Sequence, residues 1–212
     1  MAKIKGAYNL NDIAGTIVNR VRSLKRPDDR PLLIAIDGGS GSGKSSIAKI
    51  VVETLDGTLI ATDDFFAAHI SDKGWLNRSC MERAADAIDW QRLRSEVLEP
   101  LLRRTPAEWR SFDFEAGVRP DGTYSVKSDS NSYRPRDTIV LEGVYSTRPE
   151  LADLVDLKIL VDVPMDIRHQ RLMKREEDKF LARWHATWDG AEQFYFQHVR
   201  NASTFDMVVE NT

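Results

Sequence analysis

Eight consecutive residues, Gly38, Gly39, Ser40, Gly41, Ser42, Gly43, Lys44 and Ser45, satisfy every fixed position of G-x-x-x-x-G-K-[ST]. A phosphate chain needs several backbone N–H groups pointing inward. Glycines allow the tight backbone and close approach that this requires. A helix starting at Lys44 adds partial positive charge at its N-terminus, with Ser46 in the same first turn. Lys44 is placed to reach the β- and γ-phosphates, and the Ser45 hydroxyl to ligand Mg²⁺. The alternative is a flexible Gly/Ser joint, and it leaves the complete motif and its flanks unexplained. The segment implies a bound nucleoside triphosphate.

A kinase also needs a carboxylate near the γ-phosphate and cations over the transferring group. Thr62-Asp63-Asp64-Phe65-Phe66 follows a short apolar run, which puts carboxylates at the strand end where open α/β sheets gather their ligands. Asp63 is the candidate base; the competing role for Asp63 or Asp64 is to cap a following helix. Glu142 ends the run Ile139-Val140-Leu141 and reaches the same edge. It is placed to hold Mg²⁺ together with Ser45 and Asp63, with Asp162 as the competing acid. Arg168, Arg171 and Arg175 recur at three- and four-residue steps, on one helical face beside Lys174. They read as a lid over the nucleotide, with Lys44 and Arg171 joining Asp63 as catalytic groups. The plainer reading is a solvated face paired with Glu176, Glu177 and Asp178. No Asn-Lys-x-Asp guanine signal and no Asp-x-x-Gly switch occurs, so ATP is favoured over GTP.

These groups need a frame. Leu32–Ile36 is a continuous apolar run bounded by Pro31 and the glycines after Asp37, the pattern of a strand buried on both faces. Further strands are expected at 58–61, 139–141, 157–161 and 205–209. Helices are expected from about Leu10, from Lys44, around 90–101 with a kink or early stop at Pro100, from Met165 to near Leu181, and from Asp189 to Asn201. Asn9 or Asn11 is the cap candidate for the first. Strands alternating with helices give an α/β, three-layer P-loop NTPase fold with a mostly parallel sheet. All 212 residues form one domain: an N-terminal helix within 1–30, an inserted β-hairpin or flap at 106–136 on the acceptor side, and a helical lid at 165–185. Pro120-Asp121-Gly122 marks the flap's turn.

In this order the motifs resemble the uridine kinase and phosphoribulokinase family. The likeness runs over residues 32–180 and includes Asp86-Ala87-Ile88-Asp89 and the segment from Phe112 to Arg119. It implies ATP-dependent phosphorylation of a primary hydroxyl on a nucleoside-like or related small metabolite, with Asp63 as base. It also implies that Asp86 grips ribose hydroxyls, that Phe112 and Arg119 line the acceptor pocket, and that the arginine row forms the lid; Phe66 and Glu142, with Asp63, complete the expected substrate-binding set. Where the family pattern has a histidine that contacts the nucleobase, this chain has Gly117. Uridine is therefore not the expected acceptor. Within the same fold, a sugar phosphate or vitamin precursor is the rival acceptor, and a non-transferring ATP-binding module is the rival class.

Composition excludes several other roles. The net charge of −3 offers no general basic field for nucleic acid or an anionic membrane. Cys80 alone excludes a disulfide framework and a cysteine-built zinc site. No apolar run approaches the roughly 20 residues of a membrane helix, and no secretory apolar core precedes residue 30, so a cytoplasmic protein is expected. Homo-oligomerisation is left open. His69, His169, His185 and His198 show no paired metal-ligand spacing. Trp184 and Trp188 read as packing of the lid's exit against the core.

Overall fold

The computed structural model describes residues 2–4, 9–26, 29–175 and 178–211, with backbone alone for 2–4 and 178–181. The elements run β1 (Ala2–Ile4), α1 (Leu10–Arg22), β2 (Leu32–Asp37), α2 (Lys44–Leu55), β3 (Thr58–Ala61), a 3₁₀ turn (Thr62–Phe65), α3 (Asp72–Asn77) and α4 (Cys80–Asp86). Then follow α5 (Trp90–Arg92), a π-helical stretch (Leu93–Leu98), α6 (Glu99–Leu102), β4 (Ala107–Trp109), β5 (Asn131–Tyr133) and β6 (Thr138–Glu142). The chain continues with β7 (Leu157–Asp162), α7 (Met165–Met173), α8 (Asp178–Phe194), a second π-helical stretch (Tyr195–Val199) and β8 (Met207–Glu210).

Six strands form one parallel sheet in the order β1-β8-β7-β2-β6-β3. β1 was not anticipated; three residues carry too little periodicity, and pairing with β8 defines the strand. β2 lies between β6 and β7 and is buried at every position, as a continuous apolar run requires. Its alternate residues serve two cores. Ile34 and Ile36 pack with Ile13 and Ile17 of α1 and Ile47 and Val51 of α2, while Leu33 faces the layer of Leu93, Leu98, Leu101, Trp188 and Tyr195. After β2 the chain moves to one side of the sheet, and after β6 it crosses to the other. The loop after β2 therefore opens at the reversal point, where ligands of such sheets bind.

Two sequence expectations need correction. Pro100 does not itself end the helix, which continues two residues beyond it. The preceding turns widen to π geometry, with Glu99 N–H bonding Arg94 O, and the helix runs on to Leu102. The wide turn takes up the residue that lacks an N–H. The second correction concerns the lid. α7 stops at Met173 and α8 already begins at Asp178, running to Phe194, in place of a break near 181–189. No proline or glycine marks this joint, so packing decides it: Trp188 and Ala191 of α8 join the core, and the helix lies along α4. Asn9 is the cap of α1, accepting from Asp12 N, which is worth about 1 kcal/mol.

Between α6 and β6 the chain makes an antiparallel excursion. β4 pairs with β5, and bridges Phe112–Val126 and Val118–Tyr124 carry the pairing toward the turn at Gly122. It docks on the turn after β3 through Phe112 N to Asp64 O (2.7 Å) and Trp109 Nε1 to Asp64 Oδ2 (2.9 Å). Among the described residues no helix is long and apolar enough to cross a membrane.

Candidate active site

The loop 38–43 leaves β2 at Asp37, which is fully buried. One Asp37 oxygen accepts from Gly38 N (2.8 Å) and Tyr145 N (3.0 Å). The other accepts from Thr147 N (3.1 Å), Thr147 Oγ1 (2.7 Å) and Tyr195 OH (2.8 Å). Burial pushes this carboxyl above the usual range, and the donors from Thr147, Tyr195 and Gly38 oppose it. Asp37 thus ties the start of the loop to the segment after β6 and to the π-helical stretch that follows α8. Asp37→Ala takes the acceptor from five donors in the interior, of which only Thr147 Oγ1 and Tyr195 OH can still bond each other (3.1 Å). Leaving buried donors unsatisfied should cost at least about 1–3 kcal/mol and lower Tm by at least about 2–12 °C, as read by thermal unfolding.

Gly41 has φ +81°, and a Cβ there would press on the Arg168 carbonyl, so the loop can pass only as glycine. From it opens a cavity of about 510 Å³ that also touches Lys44, Ser45, Ser46, Asp63, Phe66, Tyr145, Arg175, Trp184, Trp188 and Glu192. Asp63 is exposed toward this space. Desolvation nonetheless raises its carboxyl, with Asp64 adding to the rise and Lys44 and Arg175 opposing it. Glu142, at the end of β6, accepts from Ser45 Oγ at 3.0 Å. Its carboxyl is raised by burial and by Asp63, with Lys44 and Ser45 opposing. Glu142, whose ionisation Asp63 disfavours, forms with Asp63 and the Ser45 hydroxyl an all-oxygen set that suits Mg²⁺. Asp64 is held by Trp109, which leaves Asp63 as the aspartate of the pair that faces the cavity. Asp162 opens onto a separate cavity behind Gly39.

The arginine row divides. Arg168 is buried and bonds Ser40 O (2.9 Å) and Glu192 (3.0 Å), while Glu192 accepts from Ser40 N (3.1 Å) and Ser40 Oγ (2.5 Å). Arg171 reaches Ser42 O (3.4 Å) and Asn211 O (2.9 Å). Spacing puts all three arginines over the nucleotide. The structure sets Arg168 and Arg171 against the main chain of the phosphate loop, and of the three Arg175 lines the cavity. The reason is that α7 seats Leu172 against Gly41, which turns this helical face onto the loop itself. Among the charges proposed to pair with the row, Glu176 and Glu177 lie outside the described residues, as does the Asp178 side chain.

Other expected site residues stand further off. Asp86 accepts from Arg78 Nε (2.9 Å) at the end of α4, and its neighbours Ala87 and Ile88, not Asp86, line the cavity. Arg119 is exposed near the hairpin tip and bonds Ser125 Oγ (3.0 Å). Gly117 is exposed with φ +67° and nothing within 4 Å of a Cβ position. Phe112 is buried behind the wall, edge-on to Phe66 (5.1 Å) and 4.5 Å from Phe114. Trp188 packs on Trp75 and Phe66, and Trp184 lies 5.8 Å from it, so the pair both fills the core and forms cavity wall.

Sequence reading missed Asp37, Tyr145 and Glu192. Tyr145 is buried with φ +74°, a strained conformation for a bulky residue, held by Asp37, and its hydroxyl has no hydrogen-bond partner. The available signal for Asp37 and Tyr145 was position: each follows a buried strand at the same edge as the phosphate loop.

The family model described as Phosphoribulokinase / Uridine kinase family matches residues 33–196. A uridine kinase of Clostridium botulinum (strain Kyoto / Type A2) is 34% identical over 157 residues, covering 69% of each chain. One of Streptococcus uberis is 30% identical over 153 residues, covering 69% of this chain and 68% of its own. A Bacillus stearothermophilus structure given as "a Possible Uridine Kinase" superposes with TM-score 0.71 at 20% identity, over 94% of this chain and 98% of that one. D-glycerate 3-kinase from Cryptococcus neoformans var. grubii reaches 0.54 at 13% identity, over 92% and 88%. These two superpositions speak to fold.

Proposed function

Because the chain belongs to the phosphoribulokinase / uridine kinase family, we propose that it transfers the γ-phosphoryl group of ATP to a primary hydroxyl on a nucleoside-like, ring-bearing metabolite, with Asp63 as the general base. The observation that carries this reading is the convergence of Lys44, Ser45 and Asp63 on one cavity whose far wall is aromatic, with Glu142 bonded to Ser45 behind them. The loop amides and Lys44 hold the phosphates. Ser45 and Glu142, with Asp63, would hold Mg²⁺, which neutralises phosphate charge when bound. Asp63 accepts the proton of the acceptor hydroxyl as its oxygen bonds to the γ-phosphorus and ADP departs. Arg175 supplies positive charge from the α7 side, and Arg168 and Glu192 keep Ser40 in place. Excluding water from this space makes each of these charges more effective.

The wall supports the acceptor class. Phe66, Phe114, Trp184 and Trp188, with Ile88 and Val144, offer ring faces and apolar surface. A flat ring stacks well there, whereas the dianion of a sugar phosphate would lose its hydration against it. Gly117, where the family pattern has its base-reading histidine, carries no side chain and stands off the cavity, so nothing from that position reads a pyrimidine. The test is acceptor-stimulated ADP release over a panel of nucleosides, ring-bearing alcohols of the vitamin-precursor type and sugar phosphates, with ATP and Mg²⁺. Ring-bearing acceptors other than uridine should give the highest kcat/KM. A preference for sugar phosphates refutes the acceptor class, and ATP binding with no stimulated release under any acceptor refutes transfer.

A further inference from the structure

α7 and α8 bring together three side chains that phosphoryl transfer does not use. One ligand atom each of His169, His185 and Asp189 lies within 4.8 Å of the other two. Asp189 Oδ2 is 3.0 Å from His169 Nε2, Asp189 Oδ1 is 3.0 Å from His185 Nδ1, and the imidazole centroids are 4.0 Å apart. His169 Nε2 is buried and has no hydrogen-bond partner, so its contact with Asp189 is close but misdirected. Sequence spacing concealed the group, because His169 belongs to a different helix from the His185–Asp189 pair.

A simple ion pair accounts for part of this. One protonated imidazole satisfies Asp189, but two protonated rings at 4.0 Å repel each other, and a neutral ring leaves an unused lone pair. A buried polar atom without a partner calls for an explanation, an ion among them. Zinc bonded to nitrogen and oxygen at about 2.0–2.2 Å sets neighbouring ligand atoms about 3.3–3.5 Å apart in a tetrahedron, inside the spread found here. Two imidazoles and one carboxylate select a borderline first-row divalent ion over Mg²⁺, which prefers oxygen throughout.

We propose that His169, His185 and Asp189 form a binding site for a Zn²⁺-like divalent transition metal that fastens α7 to α8. The three ligands leave a fourth position for water. The ion would join the helix that holds Arg168 and Arg171 against the phosphate loop to the helix that carries Trp184, Trp188 and Glu192 into the cavity. It is separate from the Ser45–Glu142 oxygen set, and it stands or falls independently of the acceptor.

The test titrates the chelator-treated full chain with Zn²⁺, and in parallel with Co²⁺, in nucleotide-free buffer containing excess Mg²⁺ to fill the oxygen site. One equivalent should bind, Co²⁺ should show visible d–d bands without thiolate charge transfer, and Zn²⁺ should raise Tm by mass action. His169→Ala, His185→Ala and Asp189→Asn should each weaken Zn²⁺ binding by at least about tenfold and remove the Tm rise, while Cys80→Ser leaves both unchanged. Metal-free melting of each variant reports folding. Should His169→Ala fail to fold, His185→Ala and the isosteric Asp189→Asn decide the matter. No saturable uptake, or uptake that His185→Ala or Asp189→Asn leaves unchanged, overturns the site.

Discussion

Asp63→Asn should lower acceptor phosphorylation by about 10²–10⁴-fold with ATP affinity nearly unchanged. The amide keeps the shape of the carboxyl but takes no proton. Calorimetric ATP titration alongside acceptor-stimulated ADP release separates the two effects, and undiminished turnover would remove Asp63 from the role. Desolvation raises its carboxyl, so the wild-type rate should rise with pH through a range above that of an ordinary carboxylate and then level. The variant should lack that limb. Stability carries the opposite signature. A raised folded-state pKa means that folding favours protonated Asp63, so its contribution is fully present below the ordinary carboxylate pKa and is lost as pH rises through the folded value. At neutral pH the ionised group therefore costs stability, and Asp63→Asn should melt slightly higher while losing turnover. A merely structural aspartate would show neither the pH limb nor this opposition of stability and rate.

Lys44→Ala should fail differently. It removes a donor to the phosphates in both the bound and the reacting state, so ATP binding and turnover should weaken together, with kcat/KM lower by about 10²–10³-fold. Lys44 is also the cation that restrains the upward shifts of both Asp63 and Glu142. Without it both carboxyls should move further up, and the rising limb of the residual rate should shift to higher pH. The same loss leaves Glu142 without its counter-charge and Asp63 with Arg175 alone, so thermal stability at neutral pH should fall. A pH–rate series on wild type, Lys44→Ala and Asp63→Asn checks all of this. An unmoved limb in Lys44→Ala would contradict the shared electrostatics of the site.

What could be read without a structure was whatever the backbone needs locally. The phosphate loop requires its glycines, lysine and serine in sequence. β2 and β6 need unbroken apolar runs, and β7 one interrupted only by Lys158, because helices cover both faces of the sheet. Asp63 and Glu142 follow buried strands, so their edge of the sheet was legible, and with it the meeting of these acids at the loop. Local pattern was silent where the backbone makes no special demand. The joint between α7 and α8 has no breaker residue, and the Pro100 helix stays continuous through a wide turn that no spacing rule signals.

The partners of these residues were decided by tertiary packing alone. Glu192 meets Ser40 across 152 positions, and Tyr195 meets Asp37 across 158. The three arginines share a helical face by periodicity, yet the seating of Leu172 on Gly41 determines that two of them serve the loop's main chain while Arg175 opens on the cavity. His169 and the His185–Asp189 pair likewise meet only because α7 and α8 fold against each other. The order of residues therefore established the phosphate cradle, the buried strands and the acids at their ends, since short-range backbone geometry and burial write themselves into neighbouring positions. The folded chain chose which charge answers which, because contacts between distant segments depend on how helices pack, and no local repeat encodes that.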